Sequence, residues 1–242
     1  MRTAALFILL CFGSVIGRAD NRPLEPAPRT SKAWHEKQLE LHPDSATVHF
    51  AYAQFLSEEG EMRAAVAHYR VAQMIDPDNA AIANSLGGAY LQMGRTTLSA
   101  AQFQRAVASA SDVAAYHYNL GNVEFLLRRD LAIAWQIGTP VLLRKALAEY
   151  REASRLSPQN MEYARGYAET FYGVPDPDWT EAEAAWKHVL SLSPQPDFAN
   201  LQLARVSLKL GHKEEARQFL DQIRDSRHDS LKQKLRDQAD KL

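Results

Sequence analysis

The sequence predicts an all-α solenoid, about five helical hairpins in a row with a capping helix at each end. Three observations carry this expectation. Residues 78–111, DNAAIANSLGGAYLQMGRTTLSAAQFQRAVASAS, hold two stretches of helical period on either side of a short Gly94-Arg95 turn. Apolar or small residues fall at Ala83, Leu86, Gly87 and Tyr90, then at Ala100, Phe103 and Val107, the three- and four-residue steps of one helix face. The block then recurs: Pro43 and Pro77 lie 34 residues apart, Ser111 stands where the next proline would fall, and Pro158 and Pro194 close the two repeats that follow. Large residues return in the second helices at Tyr69, Phe103, Tyr150, Trp186 and Leu220, each with a small residue four positions earlier, at Ala65, Ser99, Ala146, Ala182 and Ala216.

Taken from the start, residues 1–19 read as a processing segment. Arg2 supplies a positive end, 4–16 form an apolar run, and Gly17-Arg18-Ala19 sets small residues where a signal peptidase reads, so cleavage is expected before Asp20. That run is 13 residues, short of the ~20 needed to span a bilayer. The mature protein is therefore expected to be exported, periplasmic or secreted, with no membrane span. Cys11, the single cysteine, would be the acylated residue of a lipoprotein signal, but Leu10 precedes it where such signals carry a small residue, so cleavage at Ala19 is preferred and leaves no cysteine behind. Residues 20–30 hold Pro23, Pro26 and Pro28 and read as an extended linker. Thr30 or Ser31 then caps a short helix over 31–42 carrying Trp34, Leu39 and Leu41, an N-terminal cap.

The first repeat, 44–77, turns at Glu59-Gly60, with Phe50, Ala53, Leu56, Ala65, Tyr69 and Ala72 as interior. In the second, 78–111, Gly87 needs a reason, since a glycine inside a helix costs roughly 1 kcal/mol against alanine. Close approach of two helices beside Tyr90 and Phe103 is that reason. The third, 112–158, has 13 extra residues and no glycine where Gly60 and Gly94 turn the others. Its first break is Gly138-Thr139-Pro140, which predicts a long first helix over 113–137, kinked near Arg129-Asp130, and a second over 140–156. The extra turns would project as an arm with an apolar face that includes Leu131, Ile133 and Trp135, either zipped together or open to a partner at Trp135. The fourth, 159–194, has a stiff turn at 173–178, with Asp178 or Thr180 as the next cap. The fifth, 195–223, is regular, and 224–242 forms a charged C-terminal cap with Leu231 and Leu235 on one face.

Leu86-Gly87-Gly88-Ala89-Tyr90, then Ser99 and Phe103, at this phase over residues 44–223, resemble the tetratricopeptide repeat family, whose pattern is W-x2-L-G-x2-Y, A-x3-F, P over 34 residues. The tryptophan position departs from it, holding His49, Ala83, His117, Ala164 and Asn200, and two repeats are longer than 34. The resemblance implies a right-handed superhelix whose first helices line a concave face, where protein or peptide partners bind. On matching positions that face comprises Thr47, Phe50, Gln54, Asn84, Gly88, Leu91, Gln92, Tyr118, Asn122, Phe125, Arg165, Glu169, Tyr172, Leu201 and Arg205. Asn84, Tyr118 and Asn122 suit hydrogen bonds to a peptide backbone, and Arg165 and Arg205 suit acidic groups. The carboxylate clamp of chaperone-binding relatives is not expected: Asn119 fits one clamp position, but Ala51 and Ser85 occupy the others.

Other chemistry is not signalled. A net charge of -1 without basic runs beyond Arg128-Arg129 argues against nucleic acid. His35-Glu36 starts an HExxH that Leu39 breaks, and the eight histidines are scattered. Phosphate loops, dinucleotide turns and serine elbows are not found, so neither cofactor nor metal is expected. A site assembled across repeats from Arg165, Glu169 and His188 is the one catalytic constellation worth naming. The expected function is a non-catalytic interaction scaffold, or else a homodimeric assembly factor acting through the third-repeat arm.

Overall fold

Most helices among the described residues are too short to stand alone and form because neighbours cover their apolar side chains. In the computed structural model, which describes residues 31–242, thirteen α-helices and one 3-10 turn occupy the described residues, with no strand among them. They divide between two compact bodies, one ending at Ile137 and one starting at Gly138. The first holds α1 Lys32–Leu41, α2 Ala46–Glu58, α3 Met62–Ile75, α4 Ala80–Gln92, α5 Thr96–Ser109, α6 Ala114–Leu126 and α7 Arg128–Trp135. The second holds α8 Thr139–Leu156, α9 Met161–Thr170, α10 Trp179–Leu192, α11 Asp197–Leu210, α12 Lys213–Gln222 and α13 Asp229–Ala239. The architecture is all-α, a series of helical hairpins. The expected leader and linker, 1–30, lie outside the described residues.

Local chemistry starts and stops these helices. Asn79, Asn160 and Asp178 each accept two backbone N–H groups at the start of α4, α9 and α10, and Ser45 accepts one at the start of α2; such caps satisfy donors that have no partner within the helix. Ser31 takes the cap position of α1 but its side chain makes no cap bond. The turns after α2, α4 and α11 share one form. Gly60, Gly94 and Gly211 have φ of 80°, 68° and 78°, and the next N–H reaches back to Leu56, Tyr90 and Ser207 carbonyls at 2.8 Å in each. Only glycine adopts this left-handed geometry without steric cost.

The interior follows the sequence pattern. Ala53, Leu56, Ala65, Tyr69 and Ala72 are buried in the first repeat, and Ala146, Tyr150, Ala182, Trp186, Ala216 and Leu220 in the later ones. Gly87 lies under Phe103, where a Cβ would sit 2.9 Å from the ring, and its carbonyl accepts the Ser99 hydroxyl at 2.8 Å. All five residues at the tryptophan position are buried. Two of them also bond: the Nε2 of His49 donates to the Pro43 carbonyl (2.9 Å) and that of His117 to the Ser111 carbonyl (3.0 Å). Arg105 and His188 meet the Pro77 and Pro158 carbonyls in the same way. A basic side chain thus closes the orphan carbonyl at four junctions between repeats.

The third repeat departs from expectation. The helix does not run through 113–137: Leu127, at φ -105° and ψ 20°, ends α6, and α7 starts at Arg128. Arg128 donates to the freed Phe125 carbonyl at 2.6 Å. α7 packs on both α5 and α6 and sinks Leu131 completely, so the extra residues fold back instead of projecting as an arm. Gln136 closes α7 in the left-handed region (φ 53°), with Ile137 N–H returning to the Ala132 carbonyl at 3.1 Å. It repeats the glycine turn without glycine. In the C-terminal cap, Leu235 is buried with Leu201, Ala204, Leu220 and Ile223, whereas Leu231 is exposed.

Candidate partner-binding face

The richest surface lies in the second body, on α9 and α11. Residues at steps of four, three and four along α11, namely Phe198, Gln202, Arg205 and Lys209, share one face, and α9 brings Arg165, Glu169 and, just past its end, Tyr172. The Arg165 guanidinium lies 5.1 Å from the Phe198 ring centre and that of Arg205 4.6 Å from Tyr172; the Lys209 ammonium is 5.8 Å from Trp179 at the start of α10. Each contact is worth about 0.5–1 kcal/mol where the cation is exposed, and its larger effect is to hold a long side chain in place. Arg165 pairs with Glu169 at 2.7 Å. Arg205 gives one N–H to Gln202 Oε1 at 3.0 Å, leaving most of the five guanidinium donors available. Neither Arg205 nor Lys209 has an acidic partner among the described residues, and both are exposed.

The aromatic side is fixed from behind. Tyr172 lies 5.8 Å from Trp179 and 6.4 Å from the fully buried Trp186, which meets Phe198 edge-on at 5.8 Å. Burial pushes the Tyr172 phenol up to about 12, against the pull of Arg205, so it is a neutral hydroxyl at ordinary pH. Next to it Tyr167 donates to Glu181 at 2.5 Å and accepts from Arg151 at 3.2 Å, stitching α8, α9 and α10. Its phenol is likewise pushed up to about 12, first by burial and then by Glu181.

The other expected groove residues separate into two sets. Phe50, Gly88 and Leu201 are buried, and Phe50 packs against Tyr69 at 5.7 Å, as expected of an interior residue; burial removes all three from the expected groove. Thr47, Gln54 and Gln92 are exposed, while Asn84, Leu91, Tyr118, Asn122 and Phe125 are half-buried. Asn84 accepts from Asn119 at 2.9 Å, joining α4 to α6. Trp135 ends α7 half-buried, beside the 80% exposed Ile133. His188 of the hypothetical catalytic set is engaged with Pro158, as described above.

Sequence reasoning missed Phe198, Gln202, Lys209 and Trp179. The first three were legible as helical neighbours of Arg205; Trp179 was not, since it comes from another helix. It also missed Glu183, His212 and Glu215, whose ligand atoms lie within 4.8 Å of one another across α10 and α12. The Lys187 ammonium is 3.1 Å from Glu183 and 3.3 Å from Glu215, so a side-chain cation already balances that cluster.

Two family models, both described as Tetratricopeptide repeat, match residues 84–135 and 177–238. The chain is a tetratricopeptide repeat protein. No curated protein matches it. Solved structures with the same fold include YrrB, described as "a TPR protein with an unusual peptide-binding site", at 19% identity and TM-score 0.63, covering 79% of this chain and 91% of that one. Pseudomonas aeruginosa PilF aligns at 21% identity and TM-score 0.57 over 79% of this chain and 80% of its own. The MamA protein aligns at 16% and 0.59 over 73% and 88%. Tetratricopeptide repeats are typically non-catalytic scaffolds that bind proteins or peptides, and the fold supports a general protein-interaction role here. The first family match ends at Trp135, the last residue of α7.

Proposed function

We propose that this tetratricopeptide repeat protein binds an extended, acidic segment of a partner protein on the α9–α11 face, and does so after export. The carrying observation is the set of three cation–ring pairs, Arg165 on Phe198, Arg205 on Tyr172 and Lys209 on Trp179. Rings hold the cations in position before a ligand arrives, which lowers the entropy lost on docking. Arg205 and Lys209 then offer donors to carboxylates, while the rings offer apolar contact between charges. The peptide-binding site ascribed to YrrB, a protein of the same fold, supports the reading. Export rests on the pattern of residues 1–19. Assembly between copies, through the third-repeat arm or an end cap, has less support, because the residues of that arm fold back as α7.

The test is binding of extended peptides rich in Asp and Glu, beside their Asn and Gln counterparts, to the chain and to its Arg205→Ala/Lys209→Ala variant. Hydrogen bonds to charged groups contribute about 1.5–3 kcal/mol each, so the double variant should lose roughly tenfold or more in affinity for the acidic peptides. Added salt should weaken the same binding. Equal binding of amide and acidic peptides, or no loss in the variant, overturns the proposal.

A further inference from the structure

The first repeat contains a part-buried polar contact that the binding face does not use. His49 on α2 and His68 on α3 meet Nδ1 to Nδ1 at 3.0 Å, with their rings 5.3 Å apart. Geometry assigns the protons. The Nε2 of His49 faces the Pro43 carbonyl at 2.9 Å, and a carbonyl only accepts, so that nitrogen carries the hydrogen. In the neutral ring Nδ1 is then bare, and the His68 Nδ1–H must donate to it. The two helices share one proton between two rings. An added proton can settle on the bare Nε2 of His68 and leave this bond in place; only with both rings charged do two N–H groups face each other across the gap and break the contact.

We propose that the His49–His68 pair is an acid-released clasp: it holds the first hairpin closed at neutral pH and opens it in acid. The surroundings offer little to soften the added charge. α3 also contributes Tyr69, buried with its phenol raised, and Glu61 at its N-cap, which is taken by Lys32 of α1 at 3.0 Å. α2 contributes Tyr52, 4.7 Å from His68, whose hydroxyl donates to Glu36 of α1 at 3.4 Å, and Glu58 near its end. α1 adds His35, stacked on Tyr52 at 5.4 Å. α4 carries no charged side chain, its one ionisable group being Tyr90, and His42 and Asp44 flank Pro43 in the exposed link. Burial first, and His49 second, hold the His68 imidazolium below the usual histidine range.

The sign follows. A histidine whose folded pKa is depressed stabilises the fold above its unfolded value, about 6.5, and that stability is lost as pH falls through the folded value. One proton taken up on opening changes the opening equilibrium by up to about tenfold per pH unit. Because Tyr52 touches both His68 and His35, opening would also loosen α1, whereas the α9–α11 face lies in the other body.

The experiment is NMR on the full chain. Imidazole 15N spectra at about pH 7.5 should show His49 as the Nε2–H tautomer and His68 as the Nδ1–H tautomer. Amide protection in α2 and α3, corrected for intrinsic exchange, should fall about tenfold or more between about pH 7.5 and about pH 5, while α10 and α11 change less. In His68→Gln, whose amide still donates to His49 but does not titrate, the acid-dependent loss in α2 and α3 should shrink at least severalfold. An Nε2–H tautomer at His68, or an equal acid loss in wild type and His68→Gln, overturns the proposal. Should the variant fail to fold, the wild-type tautomers decide alone.

Discussion

A Cβ on Gly87 would lie 2.9 Å from Phe103 Cδ1 and 3.0 Å from Cε1, and the ring is 1% exposed with nowhere to move. Two effects oppose each other in Gly87→Ala. The helix gains about 1 kcal/mol of propensity, and the core is overpacked at a cost of about 1–3 kcal/mol. We expect overpacking to win because the clash falls on a buried ring. Thermal unfolding should show a lower midpoint, at roughly 2–4 °C per kcal/mol for a chain of this size. Adding Phe103→Leu to Gly87→Ala should cost less than the sum of the single changes, since the two positions touch; strict additivity would show that Phe103 is not what the glycine accommodates. Gly87 was legible as a close-approach residue from its place on an apolar helix face. That a ring fills the space was visible only once α4 and α5 were set against each other.

At the scale of the element, α7 is the informative case. Its eight residues are too few for a stable isolated helix, its start at Leu127 lacks a side-chain cap, and its end at Gln136 adopts a left-handed conformation that costs a non-glycine residue about 1–2 kcal/mol. Burial of Leu131 against α5 and α6 compensates. Leu131→Ala should therefore destabilise by about 2–5 kcal/mol and raise hydrogen exchange in α7 more than in α4. An unchanged α7 would mean that Arg128, through its bond to the Phe125 carbonyl, suffices to hold it. The sequence pattern suggested one long helix here because the residues before and after Leu127 are good helix formers without a glycine or proline between them. Propensity is a weak prior, and a tertiary contact overrode it.

For the whole molecule, export and binding remain the two functional proposals. Export predicts that protein recovered outside the cytoplasm starts at Asp20; intact mass spectrometry reads this directly, and a retained Met1 would overturn it. The hairpin turns at Gly60, Gly94 and Gly211, and the buried set from Ala53 to Leu220 were determined by the sequence alone. They rest on periodicity within three or four residues and on glycine's access to positive φ, both local properties of a chain. The break at Leu127, the division into two bodies at Ile137, and the removal of Gly88 and Leu201 from the expected groove were decided by tertiary structure. So were the seats of Arg165, Arg205 and Lys209 on rings drawn from other helices, and the meeting of His49 with His68. Each depends on the register of one helix against another, and no spacing along a single helix encodes that.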